Sequence, residues 1–218
     1  MLADFEDIAE EVGLIIPDAL GKLIALGARP LQRGGVMPFS SLHDIELIDC
    51  GDVERLLTDW LGREKQRGAC FTLLPFGMFC GVDAYCYVQF EEGDEGIARV
   101  MHDEVTSLLE YPSVSHWITS EYIRVLTNLT DIGCFGADGS ERLKNELGVL
   151  DRILLPEHLE LILGLLSADV VVRPYRAGPR SALFEVPSLL AQDQAEILIQ
   201  SLACVSPLEF DVLPEWED

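Results

Sequence analysis

Residues 71–90 read FTLLPFGMFCGVDAYCYVQF, and this stretch decides the fold. Phe71, Leu73 and Leu74 form an apolar run that predicts a buried strand stopping at Pro75, because proline has no N–H to give to a ladder. Gly77 and Gly81 supply the backbone freedom of a tight reversal. After Asp83, Tyr85, Tyr87 and Gln89 alternate with Cys86, Val88 and Phe90, the period of two that marks a strand. The tyrosines are expected on one sheet face, with Cys86, Val88 and Phe90 on the other, against helices. A second turn, EEGDEG at 91–96, leads into IARVMHD. The reading is a three-stranded meander closing on Val100, His102 and Asp103.

Outward from the meander, helical periodicity dominates. Phe5, Ile8, Ala9 and Val12 share one face of a first helix, which Gly13 is suited to end. Pro17 fits the first turn of a second helix carrying Leu20, Leu23 and Ile24, with Gly27 expected to stop it. Residues 28–40 read as a loop and Ile45 to Ile48 as a short strand. Asp52 is the expected N-cap of a third helix bearing Val53, Leu56, Leu57, Trp60 and Leu61. A further helix is expected near 116–129.

The glycine-rich GCFGADGS at 133–140 predicts a boundary, giving a domain over 1–132 and a C-terminal extension over 133–218 that packs on it. The extension is expected to be mainly helical (near 140–148, 156–166 and 188–203), with strand-like runs at 170–173 and 182–186. Leu208, Phe210 and Val212 alternate with acidic residues, as one more strand or an extended arm. IIPDALGKLIALG (15–27) and LLPEHLELILGLL (154–166) share a pattern. Two amphipathic helices that both begin with proline account for it as well as a degenerate duplication would. The fold class is α+β, a mixed or antiparallel central sheet flanked by helices.

Charge is the second strong signal. Asp and Glu outnumber Lys and Arg by 38 to 15, a net of −23 over 218 residues. Residues 1–20 and 181–218 carry acidic groups and no basic one. Phosphate contact demands clustered Lys and Arg, so nucleic-acid binding is excluded and a basic protein partner is favoured. No apolar segment reaches the roughly 18 residues a membrane helix requires. The acidic N-terminus lacks the basic region of a secretory signal, which predicts a cytoplasmic protein. The six cysteines, at 50, 70, 80, 86, 134 and 204, show no disulfide spacing and read as reduced, mostly buried thiols.

Catalytic signatures are missing from the sequence. It has no phosphate-binding glycine loop, no G-x-S-x-G, no H-E-x-x-H and no C-x-x-C, so neither a metal nor a cofactor is expected. Two His-Asp pairs occur, His43-Asp44 and His102-Asp103, with His116 and His158 elsewhere. At strand ends such pairs read as turn chemistry. A cysteine nucleophile assembled in space with one of these histidines, making a small hydrolase, remains the alternative from a different class.

The meander and its flanks resemble the SUKH superfamily, which includes bacterial immunity proteins and yeast regulators of cell-wall assembly. The resemblance rests on Leu74-Pro75-Phe76, Gly81-Val82-Asp83, Tyr85 to Val88, Glu91 to Gly96, and Val100 to Asp103. Upstream it includes Phe5 to Val12 with Ile16-Pro17-Asp18, and downstream Ser115-His116-Trp117 through Leu129. It covers roughly the first 130 residues, and where the family places Gly and Asp side by side this chain has Val82 between them. The resemblance implies a non-catalytic binding protein, most bacterial members being immunity proteins that neutralise a toxin, often a nuclease. Regulation of endogenous partners, as in the yeast members, is the second implication. The expected contact residues are Asp83, Glu91, Glu92, Asp94 and Glu95, carboxylates on turns that project from a rigid scaffold. The acidic helix at the N-terminus and the tail Glu215-Trp216-Glu217-Asp218 are the other acidic surfaces.

Overall fold

The computed structural model describes residues 2–33, 41–42, 44–68, 70–130 and 137–214. His43, Cys134, the first half of the glycine-rich boundary and the tail at 215–218 lie outside them. The chain separates into two compact units, one of 1–37, 44–114 and 203–218, the other of 38–43 and 115–202. The division expected at 132/133 differs at both ends. The helix near 116–129 belongs to the second unit, and the last strand returns to the sheet of the first.

In the first unit, α1 (Leu2–Val12) and α2 (Asp18–Arg33) precede β1 (Ile45–Leu47) and α3 (Cys50–Asp59). The strands β2 (Gln66–Arg67), β3 (Phe71–Phe79), β4 (Asp83–Phe90), β5 (Glu95–Val100) and β6 (Thr106–Tyr111) follow. Gly13 ends α1 with φ +83°, and the N–H groups of Gly13 and Leu14 return to the carbonyls of Glu10 and Ala9 at 3.0 and 2.8 Å. That double return is the Schellman closure of a helix. Residue 27 does not stop α2, which continues to Arg33. Gly27 lies inside the helix, where a Cβ would run into the Leu47 side chain of β1. The cap of α3 is Asp49 rather than Asp52: its carboxylate accepts the Asp52 N–H at 3.0 Å. Asp52 lies in the first turn and pairs with Arg55 at 3.3 Å.

The meander forms as β3, β4 and β5, with β4 between its neighbours in antiparallel register. The whole sheet is antiparallel, in the order β1-β3-β4-β5-β6-β9-β2, where β9 is Glu209–Val212. Three expectations change. First, β3 does not stop at Pro75 but runs to Phe79, with the register slipping between Pro75 and Gly77. The bulge and the shortness of β1, which pairs only with 77–79, put Pro75 where no ladder on that side needs its N–H. Second, β4 is buried on both faces, Tyr85 and Tyr87 as fully as Cys86 and Val88. Phe90 packs with Phe71 and Phe210 in a cluster of rings 4.8–6.0 Å apart. Third, the meander has a fourth strand, β6, whose Ser107, Leu109 and Tyr111 alternate inward.

The second unit contains most of α4 (Val114–Val125), then α5 (Ala137–Leu150), α6 (Pro156–Leu165) and α7 (Gln192–Leu202). Between the last two helices β7 (Val171–Tyr175) and β8 (Phe184–Ser188) form a separate antiparallel hairpin. Its core is built from Trp117, Ile118, Tyr122, Leu126, Leu143, Leu147 and Ile162, all at most 2% exposed. A polar centre accompanies them: Glu146 accepts from Tyr122 Oη at 3.1 Å and Ser41 Oγ at 3.0 Å, with Arg142 Nε 3.6 Å away. Burial, and then the Glu146 charge, push the Tyr122 hydroxyl well above its usual range.

Candidate functional site

The expected contact residues sit at the two ends of β4. The β4–β5 connection is built by local hydrogen bonds. Gly93 N–H donates to Phe90 O at 3.0 Å, Phe90 N–H to Asp94 O at 2.8 Å, and Gly93 takes φ +99°. That is a type I turn closed by a glycine bulge, a preferred way of joining two strands with a short loop. A further bond from Glu91 N–H to Cys70 O at 3.1 Å ties the turn to the start of β3. The turn is therefore rigid, and it exposes Glu91, Glu92, Asp94 and Glu95 together.

These four carboxylates are not equivalent. Glu95 is held by its neighbours: it accepts from Gln89 Nε2 at 3.4 Å and hydrogen-bonds to Tyr87. Burial, and then that bond and the Glu95 charge, push the Tyr87 hydroxyl up. Glu91, Glu92 and Asp94 form no ion pair among the described residues. They present negative charge outward on a fixed frame.

Asp83 lies at the opposite end. Seven residues of extended chain separate it from Phe90, about 23 Å at roughly 3.3 Å per residue. Its carboxylate faces inward, with the side chain 16% exposed, and holds His102 by the backbone N–H at 3.3 Å and by Nδ1 at 2.9 Å. His102 thus pairs with Asp83 across the sheet rather than with its neighbour Asp103, which is 4.0 Å away. The structure brings four of the five expected residues together and leaves the fifth as a buckle between β4 and the end of β5.

The turn beside Asp83 carries Cys80 at φ +51°, the one described non-glycine residue with positive φ. Cys80 N–H is fixed to Asp44 O at 2.9 Å. Burial, then Asp44 and Asp83, raise its thiol, against the opposing effect of Arg99. Burial alone raises Cys86 strongly. A nucleophilic thiolate requires the reverse environment, an electropositive one. The acidic surroundings of Cys80 therefore disfavour a thiolate at this turn.

One polar pair escaped the sequence reading. Ser115 Oγ shares a 2.8 Å hydrogen bond with His158 Nδ1, and the His116 ring stands edge-on to His158 at 4.4 Å. A serine beside a histidine is the core of a hydrolytic site, but this serine is 3% exposed and His158 7%. Ser115 Oγ also accepts the N–H of Leu155, the residue that caps α6 without using its own side chain. The pair closes the start of α6. Its members lie far apart in sequence, and only the assembled fold reveals them.

Among the described residues no group of His, Cys, Asp and Glu is arranged to hold a metal ion, and no helix is long and apolar enough to cross a membrane. Compared with known proteins, the chain matches no family model, no curated protein and no solved structure.

Proposed function

We propose that this chain is a non-catalytic protein-binding domain of the SUKH type, a cytoplasmic immunity protein that neutralises a basic toxin domain of the nuclease kind. One observation carries the reading: a rigid turn presents Glu91, Glu92 and Asp94 outward on a chain of net charge −23. Crowded carboxylates repel one another, and a basic partner relieves that repulsion on docking. A nuclease needs a basic surface for its own substrate, so an acidic protein can occupy it by charge complementarity. Raised thiols and a buried Ser-His pair support a binding role over a hydrolytic one.

Co-expression of the full chain with the product of the adjacent reading frame tests this. Co-purification of a stable complex whose association slows steeply with added salt is the expected result. An adjacent product that neither binds nor is neutralised would remove the toxin reading. Capture of an endogenous partner in its place would turn the assignment to a regulatory module.

A further inference from the structure

We propose that His116 and His158 form an acid-released latch, which holds the start of α6 against the start of α4 while both rings are neutral and lets it go when either takes up a proton. The latch is independent of the binding reading above. Ser115 Oγ ties the two helix starts together: it accepts the Leu155 N–H at 2.8 Å and shares a second bond, also of 2.8 Å, with His158 Nδ1. The His116 ring stands edge-on to His158, with centroids 4.4 Å apart. Ser115 and His158 are buried and His116 is half-buried.

This place is hostile to a proton. Each histidine is the third residue of its helix, His116 of α4 and His158 of α6. A helix start carries the positive end of the macrodipole, so a cation in the first turn is unfavourable. Here two such ends meet, and a charge on one ring lies against the other. Burial adds the cost of desolvating an imidazolium. The charged groups that face the rings are each other, from α4 and α6, and Glu157, from the first turn of α6. Glu157 favours protonation, but it is exposed and burial outweighs it. Desolvation, and then the charge of His158, lower His116; desolvation lowers His158 against Glu157 and a bond to the Ser115 backbone. In the opened chain both rings return to the ordinary value of about 6.5. The junction is therefore at full strength above that value and weakens as the pH falls below it, because the open state binds the proton first.

Native-state hydrogen exchange on the full chain tests the latch, corrected for the intrinsic pH dependence of exchange, with the histidine ring signals followed by NMR. From about pH 7 to about pH 5 the Leu159 and Ile162 amides of α6 should lose protection roughly fivefold or more, since each pH unit by which a ring is lowered multiplies opening by up to about ten. Val88 in β4 should change less. Both rings should titrate below about 6.5. His116→Phe keeps a ring beside His158 but takes no proton, and combined with His158→Gln it should flatten the α6 response. Where the double variant does not fold, His116→Phe alone should reduce the response about twofold, the share of one of two rings. Titration of both rings at or above the ordinary value, equal losses at α6 and Val88, or an α6 response unchanged in these variants would each overturn the latch.

Discussion

The two ends of β4 carry the same residue type and use it in opposite ways. At the start, Asp83 turns inward and spends its carboxylate on two hydrogen bonds to His102. At the far end, Glu91, Glu92 and Asp94 turn outward from a loop whose shape is set by backbone bonds and Gly93. Local sequence looks alike at both turns: glycine, acid, and strands on either side. The difference is made by what the neighbouring strand brings. The segment that follows β5 brings His102 to the first turn, while among the described residues no ion pair forms at Glu91, Glu92 or Asp94 of the second. An acidic turn is thus a buckle or an interface according to its cross-strand neighbour, and its own residues do not decide which.

The largest effect should come from the strand that both ends share. Phe90 is 6% exposed and joins Phe71 of β3 to Phe210 of β9. Phe90→Ala should cost about 3–5 kcal/mol of unfolding free energy in a denaturant titration. A loss under about 1 kcal/mol would place the ring cluster outside the cooperative core.

The next test separates the ends directly. Asp83→Ala strips the partner from the His102 N–H and ring, and should cost about 1–3 kcal/mol, the range for orphaning a largely buried hydrogen-bonding group. Glu92→Ala, at the open end, should stay within about 0.5 kcal/mol of the parent. Equal stability of the two variants would erase the distinction between buckle and interface.

The open end should instead respond in kinetics. Changing Glu91, Glu92, Asp94 and Glu95 to Lys should lower the on-rate for the co-purified partner at least tenfold, well inside the roughly 10–10³ that steering supplies. The changes at Glu91, Glu92 and Asp94 should leave stability nearly unchanged, while Glu95→Lys also takes the partner from the buried Tyr87 hydroxyl and should add a cost of about 1–3 kcal/mol. An unchanged on-rate would move the interface to the exposed acidic face of α1 or to the tail ending Glu215-Trp216-Glu217-Asp218.

Much of this was legible in the sequence, and what was not has physical causes. Period-two alternation located β4, and helical spacing located the core faces of α1, α2 and α3, because those signals are local. The strand β6 carries the same alternation in TSLLEY, but it lies beyond Val100 to Asp103, where the sequence reading closes the meander. Pro75 was read as a terminator, since the bulge that accommodates it depends on where the edge strand β1 stops. Placing the strand 209–212 between β6 and β2 requires the fold, because its partners lie some hundred residues upstream. The site divides the same way. Four carboxylates on one short turn are visible as a run, whereas Asp83 with His102 and Ser115 with His158 are non-local pairings that no spacing encodes.

The smallest expected effect concerns the thiols, which could in principle tie the two ends of β4 into a stapled scaffold. None of the five described cysteines is in a disulfide. Against the expectation of mostly buried thiols, only Cys86 of these five is buried, Cys50 and Cys204 are half-buried and Cys70 and Cys80 exposed, though desolvation raises the thiols of Cys50, Cys80, Cys86 and Cys204. Protonated thiols exchange slowly, because the thiolate is the attacking species. At the buckle, the Asp83 charge adds to this protection of Cys80, whereas Cys204 receives a similar contribution from Asp94 at the open end. The melting temperature should therefore be the same with and without reductant. A disulfide typically contributes about 2–4 kcal/mol, so a clear fall on reduction would reveal one. Such a fall would mean that the rigidity of the acidic turn comes from a covalent staple rather than from the hydrogen bonds of Phe90, Glu91 and Gly93.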